Sequence, residues 1–151
     1  MAGPPTKAFG GDSLKKIKEI ISSRLKKLYD YEPYVIQPTK TKKLHLMRIA
    51  AKNLRYTLEV LKPVYDERLE EYIQAAKSVQ DVLGDVHEMD VWLEFLPEVV
   101  EKKKGNKQLT EAALFLEEEC KRLRENVYKK FVFQWEKLKE RQTWKNLPQT
   151  V

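Results

Sequence analysis

The chain has 151 residues, 42% apolar and 34% charged, with five glycines and a net charge of +6. That is enough for one domain with a real hydrophobic core, and it leans towards a soluble, helical protein. No apolar run approaches the ~18 residues of a membrane span, and the single cysteine, Cys120, excludes an intrachain disulfide and fits a cytoplasmic location.

The N-terminal "MAGPPTKAFGGDS" lacks the apolar core of a signal peptide. Residues 1–12 read as a flexible leader or a cloning remnant. Leu14, Ile17, Ile20, Ile21, Leu25 and Leu28 recur at helical spacing and predict a first helix over 13–29, capped by Asp12 or Ser13. "DYEPYVIQPTK" contains two prolines and reads as a loop. A second helix is expected over 41–62, capped by Thr39 or Thr41, with Met47, Ala51, Leu54, Leu58 and Leu61 inward and Pro63 at its stop or kink.

A third helix is predicted over 66–83, with Leu69, Ile73 (or Tyr72), Ala76, Val79 and Leu83 inward, before Gly84 breaks or hinges the chain. A fourth, over 85–104, carries Val86, Met89, Leu93, Leu96 and Val100, and Pro97 should kink or shorten it. A long fifth helix over 107–140 turns Leu109, Ala113, Leu116, Cys120, Leu123, Val127, Phe131 and Leu138 inward. Residues 141–151 read as a frayed tail. Nothing alternates with the period of a strand, so the fold class is all-α, an antiparallel bundle of four to five helices over 13–140.

Charge is laid out in blocks. Residues 40–62 hold seven Lys/Arg and one acid, residues 63–120 hold six and fifteen, and residues 121–151 hold nine and three. Such blocks arise from pairing inside the fold, from a polyanion site, or from both. The second helix sets His45, Arg48, Lys52 and Arg55 in one row, turned about 100° or more from its apolar stripe and covering about 15 Å of axis. Like charges at this spacing repel by a few tenths of a kcal/mol per pair. An anion would offset that repulsion, and guanidinium forks suit phosphate oxygens. A solvated basic face, or one paired with the acidic middle, is the plainer alternative.

Two passages, "LHLMRIAAKNLRYTLEVLKPVY" and "SVQDVLGDVHEMDVWLEFL", resemble the paired motifs of the CHAD family, the histidine-containing α-helical domains. The first is similar to a His-x-x-Arg-x-x-x-(Lys/Arg)-x-x-Arg-Tyr helix, the second to a Leu-Gly-x-x-His-(Asp/Glu)-x-Asp-Val segment. Together they occupy about residues 44–96. The resemblance implies a helical domain of two similar halves around a basic channel that binds inorganic polyphosphate. It nominates His45, Arg48, Lys52 and Arg55 as anion contacts, adds His87 with Asp90 as its orienter, and leaves Lys77 as a further candidate by position. Only one copy of the motif pair is present. A homodimer would supply the second half; a fragment of a longer chain and a minimal form with an open groove are the alternatives.

Other constellations weigh less. His87, Asp90 and Glu94 share one helix side, but an Asp beside a His more often orients it than joins it on a metal, so no metal or other cofactor is expected. Cys120 lies on an apolar stripe, and there is no glycine elbow and no Walker loop. The chain is therefore read as a binding protein and not an enzyme. Lys121, Arg122, Arg124, Lys129 and Lys130, interleaved with Tyr128, Phe131, Phe133 and Trp135, leave a nucleic-acid binder as the alternative, beside an adaptor that assembles through charged faces. Trp92 and Phe95 are expected to be packing residues, and Trp144 an exposed contact or a loose end.

Overall fold

A computed structural model describes residues 10–151; the expected leader lies almost wholly outside the described residues. Four long helices carry the fold. α1 spans Gly11–Tyr29, α2 Thr41–Tyr65, α3 Glu70–Lys102 and α4 Lys107–Glu140; a single-turn α5, Leu147–Thr150, follows. No strand occurs among the described residues. The all-α antiparallel bundle expected from the periodicities is the fold observed. α2 packs on α1 and α3, and α3 packs on α4.

The core is the sum of the apolar stripes. Ile21 and Leu28 of α1, Met47, Leu54 and Leu58 of α2, Val79 and Leu83 of α3, and Phe131 and Trp135 of α4 are all almost fully buried. Each such side chain contributes about 1.5–3 kcal/mol relative to an exposed one. The loop after α1 is held by α4, whose Tyr128 hydroxyl donates to the Val35 carbonyl at 2.5 Å.

Several boundaries differ from the sequence expectation. Neither Asp12 nor Ser13 caps α1, which starts at Gly11, and α2 starts without a side-chain cap from Thr39 or Thr41. Pro63 lies inside α2, which runs on to Tyr65 and is ended by Asp66 at φ 51°. A 3-10 turn, Asp66–Leu69, then leads into α3. Gly84 does not break the chain, and Pro97 does not shorten it: both lie within one 33-residue helix. A helical glycine costs only about 1 kcal/mol against alanine. Pro97 is exposed, so solvent can satisfy the carbonyl one turn back that its ring leaves free. Asn106 caps α4, its side chain accepting from the Leu109 amide at 3.0 Å.

The expected frayed tail is part of the core. Trp144 and Leu147 are 2% and 0% exposed, Val151 is buried beside them, and the Tyr72 hydroxyl meets the Thr150 hydroxyl at 3.2 Å. Apolar burial overrides the polar composition that suggested a loose end. Conversely, Leu109, Leu116 and Leu123 of α4 are largely exposed, as are Trp92 and Phe95 of α3. They stand on exposed faces of the α3–α4 hairpin, where two helices alone do not enclose a core.

Candidate functional site

The basic row of α2 lies along α3. Because the two helices are antiparallel, residue numbers rise on one as they fall on the other. The His45 and His87 imidazoles stack, ring centroids 3.9 Å apart and 20° from parallel. One turn on, Arg48 crosses α3 at Gly84, where a Cβ would sit 3.4 Å from Arg48 Nε. Arg55, further along, donates to Gln80 Oε1 at 3.0 Å and to Glu59 at 2.8 Å. The small residue at 84 keeps the crossing open: a Cβ there would just touch the guanidinium, and a longer side chain would fill the passage.

Two nitrogens in this row are buried without a hydrogen-bond partner, His45 Nδ1 and Arg48 Nε. Among the described residues, neither Arg48 nor Lys52 makes an ion pair, although both are half-buried. The contrast with α4 is sharp. There Lys121 pairs with Glu117 and Glu118, Arg122 with Glu119, and Lys129 with Glu125, each within one turn. The cations of α4 are mostly neutralised locally, whereas the centre of the α2 row is not.

Burial holds the His45 imidazole below its ordinary value of 6.5, and the nearby His87, Arg48 and Lys52 push it the same way. His45 is therefore neutral at pH 7, with one ring nitrogen free to accept and the other to donate. An arriving anion would reverse the balance and favour the imidazolium.

Beside the stack, an open pocket of about 630 Å³ is lined by Lys42, His45, His87, Asp90, Glu94 and Arg124 among others. Asp90, expected to orient His87, is engaged elsewhere. Its carboxylate takes the guanidinium of Arg124, which also donates to the Pro38 carbonyl at 2.7 Å. His87 is positioned by its stack on His45 instead. Lys77 is on the same side of α3 as Gly84, but its ammonium is 3.1 Å from Asp81 and largely exposed. Among the described residues, no group of three or more His, Cys, Asp or Glu is gathered as metal ligands.

The structure thus brings His45, Arg48, Lys52 and His87 together, ties Arg55 to α3 through Gln80, and engages Lys77 and Asp90 in ion pairs. Sequence reasoning missed Lys42 and the part Arg124 plays. Lys42 extends the row by one step of three before His45, a signal that was present. Arg124 stands 34 residues from Asp90, and no local spacing links them.

The fold is thus a helical bundle that holds a half-buried cationic row between two antiparallel helices. The sequence model described as CHAD domain matches residues 3–97. The chain belongs to the CHAD domain family, which is associated with polyphosphate and triphosphate binding. The match ends within α3, so α4 lies beyond it. No curated protein and no solved structure gives a match. Among the described residues, no helix is long and apolar enough to cross a membrane.

Proposed function

We propose that the groove between α2 and α3 binds inorganic polyphosphate or a similar linear polyanion without covalent chemistry. The observation that carries this reading is the pair of Arg48 and Lys52, half-buried and free of any acid among the described residues, beside an Arg48 Nε that has no acceptor. A partly desolvated cation without a counter-charge is costly, and a phosphate would supply that charge at the guanidinium's terminal N–H groups, Nε itself being buried over Gly84. His45 and Lys42 extend the track at one end and Arg55 at the other, while His87 lies beneath His45. Lys77 would join once its exposed pair with Asp81 opens, since such surface pairs are worth about 1 kcal/mol or less. A second chain completing the site is part of this reading, and the binding stoichiometry reports on it.

The test is a calorimetric titration with long-chain polyphosphate, beside single-stranded RNA of matched charge, at several salt concentrations. Tight polyphosphate binding, weak RNA binding and a steep salt dependence are expected. The Arg48→Ala/Arg55→Ala variant should fold normally, bind far more weakly and lower the salt slope by about two. A folded variant that binds as well as the parent would remove the basis for the site. Equal affinity for RNA would reduce the groove to a general polyanion surface.

A further inference from the structure

The outer side of α3 carries a stripe that is exposed along its length except at Val99, which is half-buried. Asp85, Glu88, Trp92, Phe95, Val99 and Lys102 follow one another in steps of three, four, three, four and three. This is the spacing of a helix-packing seam. Trp92 is 43% exposed and Phe95 49%, and their rings meet edge to face at 5.8 Å. They stand on the overhanging part of the hairpin, where Leu96 and Ala113 are buried outside the main core. With Leu96 of α3 and Ala113 of α4 turned towards each other, helical geometry brings Leu109, Leu116 and Leu123 to the same side as this stripe. The apolar face is therefore two helices wide, with acids at one end and lysine at the other.

The order of residues is self-complementary. In an antiparallel pairing of two stripes centred on Phe95, Phe95 meets its own copy, Trp92 meets Val99, and Glu88 meets Lys102. Parallel pairing would set Glu88 on Glu88 and Lys102 on Lys102. Among the described residues, Asp85, Glu88 and Lys102 make no ion pair within the chain, whereas neighbouring Asp81 and Lys104 are taken by Lys77 and Glu101. Both the apolar centre and the charged ends are thus available to a partner, and a two-fold axis satisfies both at once. Large exposed apolar patches rimmed by charge mark association surfaces.

We infer that this face of the α3–α4 hairpin is a homodimer interface, in which two copies pack antiparallel across Phe95 and form a two-layered four-helix bundle. The inference rests on the stripe alone and is independent of the phosphate-binding reading. Analytical ultracentrifugation of the full chain tests it. A dimer is expected, weakened by roughly a hundredfold or more in Phe95→Glu. Glu88→Lys alone should weaken it roughly tenfold by setting like charges together. Glu88→Lys/Lys102→Glu, which reverses both ends, should restore it. Circular dichroism checks that each variant keeps its helicity, and the surface charge pair decides the matter even if Phe95→Glu unfolds. A wild-type chain that stays monomeric at all attainable concentrations would overturn the inference. So would a dimer indifferent to Phe95→Glu, or a double charge reversal no better than the single one.

Discussion

His45 lies face to face with His87, ring centroids 3.9 Å apart, at the point where α2 and α3 pass each other. Burial disfavours the charged form of His45, and the neighbouring His87, Arg48 and Lys52 act in the same direction. His45 gives up its proton in the folded state at a pH where the unfolded chain, near 6.5, still holds it. Between those two values the unfolded state binds more protons, so stability falls as pH drops through that window and levels off below it. A bound polyanion reverses the field and raises the imidazole's proton affinity. Polyphosphate binding should therefore tighten from pH 7.5 towards pH 6 and take up protons. Titrations in buffers of different ionisation heat measure the uptake. In His45→Gln the part of the uptake due to this ring should vanish, while salt dependence remains.

The passage of Arg48 over Gly84 makes a size-graded prediction. Alanine at 84 places its Cβ 3.4 Å from Arg48 Nε, an ordinary contact, and removes the entropic cost of a helical glycine. Gly84→Ala should be neutral or up to about 1 kcal/mol more stable, with polyphosphate affinity little changed. Gly84→Leu keeps good helix propensity but fills the passage. It should retain helicity and lose affinity by about the same factor as Arg48→Ala. Equal affinity in the leucine variant would show that the guanidinium does not need this crossing.

Asp90 and Arg124 join α3 to α4, and Arg124 also fastens the loop at Pro38. Both side chains are largely buried, 15% and 14% exposed. Arg124→Ala leaves the Asp90 carboxylate without its partner and should cost about 2 kcal/mol in urea denaturation. Asp90→Ala/Arg124→Ala should cost less than the two single changes together, because the second removes a group already orphaned. Strict additivity would mean that the pair contributes nothing beyond its separate contacts.

What could be read from the sequence was what is local. The row from His45 to Arg55 and the stripe from Met47 to Leu61 are both set by spacing within one helix, and both are found as expected. Gly84 and Pro97 were misjudged for a shared reason. Local rules count their cost to the helix, but packing of α3 along α2 and α4 outweighs a few kcal/mol. Asp90 was assigned to its near neighbour His87, yet it pairs with Arg124, and only the folded chain brings those two together. Trp92 and Phe95 fit a helical period that also suits burial, but nothing in a single helix says whether another element arrives to cover it.

The same blindness applies to the C-terminal segment, where polar letters surround the residues that matter. Trp144 is 2% exposed and Leu147 fully buried, and α5 rests on α1. Both join the same core as Ile21 and Leu28, and Trp144 lines a surface cavity with Leu25 and Tyr29 of α1. Trp144→Ala removes a large buried ring and should cost about 3–5 kcal/mol, read as a lower urea midpoint with an unchanged slope. Polyphosphate affinity of the folded fraction should stay as it was, since the hydrogen bonds and ion pairs of Arg55 and Lys77 go to α2 and α3 and not to this segment. A midpoint equal to that of the parent would restore the reading of residues 141–151 as a loose end.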